Sequence, residues 1–393
     1  MNKWEMKPLG QLCSIERGGS PRPIDKYITD SPDGINWIKI GDTTESMYIT
    51  STKEKIIPEG MKKSRYVQKG DFLLSNSMSF GRPYILDIDG CIHDGWLVIK
   101  DTHNLFDKRF LYYFLGSPVT YQKFKGMAVG GVVNNLNIDM VKKVEVPVLS
   151  MSEQKEIADS LDKVTALISS RKTQLEKLDE LVKARFVELF GDPKLNNRGW
   201  KSGVISDYFE VKGGKRIPKG MGYSDTKTNH PYLRTTDMKN ETILEDDIHY
   251  ISEEVFQHIK RYTVKGGDIY LTNVGVNLGM AGVIPHKFDG ASLTENAVKL
   301  VPKTEKEIDG MFLAHYINSP GIQEYINERK MAVGVPKLAI FRIETMPLLI
   351  PPMEVQQDFI AFVEQTDKSK SAVQQSLEKL ETLKKALMQK YFG

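Results

Sequence analysis

The chain has 393 residues, 40% of them hydrophobic and 27% charged, as in an ordinary globular protein long enough for two independent cores. A formal net charge of +3 permits a polyanionic partner without requiring one, while Cys13 and Cys91, with no Cys-x-x-Cys, suggest neither a disulfide framework nor a zinc site. No apolar run approaches the roughly 18 residues of a membrane span, and residues 1–8 carry no apolar leader core, so a reducing, cytoplasmic setting without a membrane is expected.

In chain order, Ile15-Glu-Arg-Gly-Gly19 and Trp37-Ile-Lys-Ile-Gly-Asp42 read as a glycine turn followed by a strand. Lys69-Gly-Asp-Phe-Leu-Leu-Ser-Asn76 is a β-rich run ending in hydroxyl and amide side chains. Phe110-Leu-Tyr-Tyr-Phe-Leu-Gly-Ser-Pro118 is an apolar helix stopped by Ser-Pro, followed by Met127-Ala-Val-Gly130 and a closing β-run, Val144-Glu-Val-Pro147. A long amphipathic helix comes next. Ser150 with Glu153 predicts its capping box, and Gly191 with Pro193 its stop. Along it Ile157, Leu161, Val164, Ile168, Leu175, Leu178 and Val182 keep spacings of four and three, interrupted by Arg171, which is a coiled-coil seam.

Everything then returns. Trp200 answers Trp4, Val211-Lys-Gly-Gly214 the first glycine turn, Tyr232-Leu-Arg-Thr-Thr-Asp237 the strand after it, and Gly266-Gly-Asp-Ile-Tyr-Leu-Thr-Asn273 the β-rich run. Phe312-Leu-Ala-His-Tyr-Ile-Asn-Ser-Pro320, Met331-Ala-Val-Gly334 and Leu348-Leu-Ile-Pro351 follow, and residues 175–191 recur 202 residues later as 377–393. The second seam is Phe359, Val363, Val373, Leu377, Leu380 and Leu387, made more polar by Thr366, Lys370 and Lys384. Asp179 with Lys183 and Glu381 with Lys385 read as equivalent i,i+4 ion pairs. The fold class expected is mixed α/β (α+β), two repeated globular units and two long helices, over residues 1–150, 151–192, 193–352 and 353–393.

Catalytic constellations are missing from the sequence. Gly213-Gly-Lys-Arg216 lacks the spacing and hydroxyl of a phosphate loop, and Gly275-Val-Asn-Leu-Gly279-Met-Ala-Gly282 reads as a tight turn between strands rather than a dinucleotide fingerprint. No Asn/Asp-Pro-Pro-aromatic motif of an amino-methyltransferase occurs. The histidines are scattered without metal-ligand spacing, and His93-Asp94 and His315 read as structural or surface residues. Glu153-Gln-Lys155 resembles the tail of a nuclease motif but lies at a helix start. No catalytic residue and no metal site is assigned.

With Gly18-Gly-Ser-Pro-Arg22, Gly34-Ile-Asn-Trp-Ile38, Gly70-Asp-Phe-Leu-Leu-Ser75, Gly214-Lys-Arg-Ile-Pro-Lys-Gly220, Pro231-Tyr-Leu-Arg234, Gly267-Asp-Ile-Tyr-Leu-Thr272, Ser292-Leu-Thr-Glu-Asn296 and Pro351 leading to Gln356-Gln357, the duplicated order resembles the specificity subunit of a type I restriction-modification enzyme over nearly the whole chain. The loop Ser75-Asn-Ser-Met-Ser-Phe-Gly81 departs from the family in holding fewer glycines. The resemblance implies two target-recognition domains, each reading half of a bipartite site in double-stranded DNA. It also implies helices pairing antiparallel as a spacer, two methyltransferase subunits bound to them, and restriction subunits that can join. Adenine-N6 methylation, base flipping and cleavage, with S-adenosylmethionine, ATP and Mg, would belong to those partners, leaving this chain non-catalytic and without a cofactor. The alternatives are a stand-alone nuclease or methyltransferase, and a tandem protein-interaction scaffold.

Base readout needs donors and acceptors on loops, Arg for guanine and Asn or Gln for adenine. The candidates are Arg17, Ser20, Arg22, Lys39, Asn76, Ser77, Ser79, Arg82, Asn134 and Asn135 in the first unit. In the second they are Lys212, Lys215, Arg216, Lys219, Arg234, Asn273, Asn277 and Lys337. The halves differ most where these polar loops lie, which predicts an asymmetric site, with the helices as a ruler between half-sites.

Overall fold

A computed structural model describes residues 4–77, 81–128, 135–303, 307–331 and 334–393. The chain divides into two compact units, one of residues 1–172 with 375–393, the other of residues 173–374. Each therefore owns one α/β domain and half of each long helix, Met151–Phe190 and Met353–Phe392, both of 40 residues.

In the first unit a sheet runs in the spatial order Ser14–Arg17, Trp96–Lys100, Phe72–Ser75, Pro83–Leu86, Tyr48–Ile49. Its central strands are buried on both faces, and the two-residue period divides their side chains between two cores. Phe72, Leu74, Leu97 and Ile99 pack with Phe110, Leu111 and Phe114 of the helix Lys108–Leu115, whereas Leu73, Trp96 and Val98 turn to Ile38, Ile49 and Tyr84. A second sheet carries Ile35–Ile38 parallel to Gly90–Ile92. The second unit repeats the plan. Phe209–Gly213, Ala297–Pro302, Ile269–Thr272 and Ala281–Val283 form one sheet, and Pro231–Leu233 lies parallel to Ser292–Leu293 in the other. The segment 273–280 is a turn joining two antiparallel strands, as the glycine spacing predicts, with Gly275 and Gly279 at φ +103° and +95°.

Each domain is clasped where it begins and ends. Glu5–Pro8 pairs antiparallel with Glu145–Val148, and Lys201–Val204 with Pro347–Ile350, so entry and exit both lie beside the helix that follows. One glutamine in the first turn of each long helix then locks helix to domain. Gln154 accepts from Asp107 N and donates to the carbonyls of Leu105 and Leu149; Gln356 accepts from Asp309 N and donates to those of Glu307 and Pro351, all at 2.8–3.1 Å. Asp107 and Asp309 in turn cap the helices Lys108–Leu115 and Gly310–Asn318.

The capping box at Ser150 and Glu153 is present, the Glu153 carboxylate accepting from Ser150 N at 3.0 Å and Ser150 Oγ from Glu153 N at 3.3 Å. Gly191, at φ +74°, ends that helix. In the first unit its beginning packs on the end of the other long helix, Ile157, Ala158 and Leu161 clustering with Leu387, Met388, Tyr391 and Phe392. In the second unit its end packs on the other's beginning, Val182, Phe186 and Phe190 clustering with Phe359 and Val363. The helices thus pair antiparallel. Val164, Val373 and Leu377 are buried; Ile168, Leu175, Leu178, Leu380 and Leu387 are half-buried. Thr366 is buried with its hydroxyl on the Phe362 carbonyl. Asp179, read from sequence as a partner of Lys183, instead receives Lys370 of the other long helix at 2.7 Å. Desolvation, reinforced by Lys172, holds the Lys384 ammonium below the usual lysine range. None of the described helices is long and apolar enough to cross a membrane.

Candidate nucleic-acid interface

Four of the sequence candidates in the first unit converge on Asp94, a residue the sequence reading set aside. Ser20 Oγ donates to Asp94 Oδ1 at 2.9 Å, and Arg22 lies 3.6 Å from Oδ2. Arg17 Nε and Asn76 Nδ2 both donate to the Asp94 carbonyl at 3.0 Å. His93 Nε2 stands 3.0 Å from the same carboxylate. Partial burial opposes ionisation, but the Ser20 hydroxyl and the His93, Arg17 and Arg22 charges hold the Asp94 carboxyl below the ordinary aspartate range. The backbone permits this crowding because Gly18 has no side chain: a Cβ there would meet the His93 carbonyl at 2.2 Å.

Beneath this cluster lies a cleft of about 840 Å³, lined by Trp37, Lys39, Glu54, Arg22, His93 and Asp94 among others. Lys39 pairs with Glu54 across it. Asn135 and Arg82 are exposed and Ser77 is half-buried. Asn76 is buried; its carbonyl accepts from Leu136 N at 2.9 Å and brings the segment after residue 134 alongside. Ser79 and Asn134 lie outside the described residues, as does most of the predicted Met127-Ala-Val-Gly130 equivalence.

The second unit builds a counterpart from different side chains. A Cβ on Gly214 would meet the Thr294 carbonyl at 2.0 Å, so Gly214 stands as Gly18 does and Glu295 takes the place of Asp94. Arg216 Nε donates to Glu295 Oε1 at 2.5 Å, and Tyr232 OH lies 3.4 Å from Oε2. Partial burial again opposes ionisation, and the Arg216 guanidinium again overcomes it, holding Glu295 below the ordinary range. The cleft here is smaller, about 430 Å³, with Tyr232 where the first has Trp37 and Arg234 where it has Lys39. Arg234 is engaged by Asp237, Asp247 and His249.

Asn273 repeats Asn76 in detail. It is buried, its N–H donates to the Asn296 carbonyl at 3.0 Å, and its own carbonyl accepts from Leu338 N at 2.9 Å. In both asparagines Oδ1 is buried without a hydrogen-bond partner among the described residues. Val274 and Lys337 form an isolated bridge, which sets the turn carrying Asn277 against the exposed Lys337. Lys215 is exposed with Nζ 5.7 Å above the Tyr262 ring, Lys212 pairs with Glu210 at 2.7 Å, and Lys219 is exposed.

Neither cleft is simply basic. Arg22, Lys39, Arg216 and Arg234 each face a carboxylate, an arrangement that holds hydrogen-bonding groups in place rather than one that gathers phosphates by charge alone. Among the described residues no group of three or more His, Cys, Asp or Glu side chains could hold a metal ion.

Comparison with known proteins gives this duplicated α/β architecture a family. The model for the type I restriction modification DNA specificity domain matches residues 1–180 and again 197–382. The chain belongs to that family. The EcoBI specificity subunit of Escherichia coli is 21% identical over 100% of this chain and 86% of its own length. The MjaIX specificity subunit of Methanocaldococcus jannaschii is 23% identical over 92% of this chain and 86% of its own. A chain solved in the context of complex assembly and conformational transition of the type I restriction-modification system superposes with a TM-score of 0.66 at 15% identity, covering 100% of this chain and 98% of that one. The S subunit from M. genitalium gives 0.56 at 16% identity, covering 100% and 97%. At such identities these structures speak for the fold, while the family match speaks for the role: this is the DNA-recognition component of a type I restriction-modification system, without catalysis of its own.

Proposed function

We propose that the chain reads a bipartite, asymmetric site in double-stranded DNA, residues 1–150 reading one half and 193–352 the other. Residues 151–192 and 353–393 are the spacer on which two methyltransferase subunits assemble, and restriction subunits join that complex. S-adenosylmethionine, ATP and Mg act in those partners, and the complex works in the cytoplasm. The observation that supports this reading is one cleft built twice from unlike residues: Arg22, Trp37, Lys39 and Asp94 against Arg216, Tyr232, Arg234 and Glu295. A shared frame with unlike edges suits two readers of different short sequences. The test is co-purification with the partner methyltransferase followed by sequencing of methylated positions in genomic DNA. One non-palindromic sequence with an unspecified centre is expected; a palindromic site, or methylation without sequence preference, would contradict the reading.

A further inference from the structure

We propose that the pairs Arg22–Asp94 and Arg216–Glu295 are specificity determinants, each reading a single C·G base pair through the major groove, the arginine on guanine and the carboxylate on cytosine. This rests on the reading above, that each domain meets one half-site.

A DNA-binding surface gains nothing in phosphate attraction from a carboxylate at its mouth, yet both units place one at the same backbone position. In each, a glycine of another strand end lies against the carbonyl just before the acid, where a Cβ would clash: Gly18 with the His93 carbonyl at 2.2 Å and Gly214 with the Thr294 carbonyl at 2.0 Å. The carboxylates are reachable, 31% exposed at Asp94 and 28% at Glu295, and their arginines stand almost fully in solvent, 83% exposed at Arg22 and 78% at Arg216. Hydroxyls orient the acids from behind: Ser20 on Asp94 at 2.9 Å and Thr294 on Glu295 at 3.3 Å. Both acids are held ionised, so each offers acceptors only.

The groove edge of a C·G pair presents two neighbouring acceptors, guanine O6 and N7, beside one donor, the cytosine amino group. An arginine beside a carboxylate offers the complementary set. An A·T pair places its donor between two acceptors, so the same pair of side chains satisfies fewer groups and sets the carboxylate against thymine O4. The acid thus does two things: it positions the guanidinium, and it penalises the wrong pair.

The test uses the chain in complex with its partner methyltransferase and reads methylated positions across genomic DNA. Glu295→Gln keeps size and removes the charge; Arg216→Ala removes the other half of the pair; Asp94→Asn does in the first unit what Glu295→Gln does in the second. The proposal expects Glu295→Gln and Arg216→Ala to weaken preference at one and the same C·G pair, by roughly tenfold to a hundredfold, and Asp94→Asn to do so in the other half-site. Three results would overturn it: an unchanged site in all three variants, weakened preference spread over both half-sites by one variant, or loss of methylation everywhere in all three. The last would mean that the pairs hold the domains together rather than read a base. Absence of any defined site for the unsubstituted complex would instead overturn the bipartite reading itself, and this proposal with it.

Discussion

Asp94 is joined to Ser20 across 74 positions of sequence, and Glu295 to Arg216 across 79. Neither link has a local signature: the sequence reads His93-Asp94 as structural or surface and holds Glu295 only within Ser292-Leu-Thr-Glu-Asn296, whereas Arg22 and Arg216 are legible as donors on loops. Asn76 and Asn273 were legible as strand-end polar residues, but not their burial, since the same amides suit a groove or a loop clamp. Replacing Asn76 with alanine leaves the Asp94 carbonyl short of one donor and should cost about 1–3 kcal/mol. Thermal unfolding should show it as a fall of about 2–4 °C per kcal/mol in the first unit. The Asp94 carboxyl titrates below its unfolded value, so its contribution is complete above about pH 4 and is lost as pH falls through the folded value. The melting-temperature gap between the parent and Asp94→Asn should accordingly close as pH falls below about 4; a gap that widened through that range would contradict the assignment.

The long helices were readable because burial imposes a period of three and four along them, and Phe72–Ser75, buried on both faces, was readable as a short apolar run opened by Gly-Asp. What period could not give is the sharing of each long helix between units. Phe392, near the end of the chain, packs edge-on against Phe110 and Phe114 at 5.7 Å, in the first unit. Phe186 packs against Phe359 at 5.5 Å in the second. Phe392→Ala should therefore loosen the first unit by about 3 kcal/mol and spare the second. Hydrogen exchange comparing the helices Lys108–Leu115 and Gly310–Asn318 would check this, with faster exchange expected only in the former. The two junctions also differ: Arg109 binds Asp107, Asp159 and Asp162 in the first, whereas the residue 202 positions later is Met311, which can form no ion pair.

At the scale of the whole molecule the 202-residue repeat was the most legible feature, because it announces itself twice and covers both domain and helix. The functional consequence is modular. Both long helices run through both units, so inserting four residues near Arg171 and near Val373 adds about one helical turn to the spacer while largely keeping the apolar seam. Methylation mapping should find the unspecified centre longer by about one or two base pairs, with both half-site sequences kept; an unchanged centre in a folded, active variant would remove the ruler. The claim on which everything else depends is that each unit reads DNA by itself. Its most direct test replaces residues 1–150 with the corresponding domain of another family member and maps methylated sites in the assembled complex. One half-site should change and the other stay as it was; alteration of both would contradict the account.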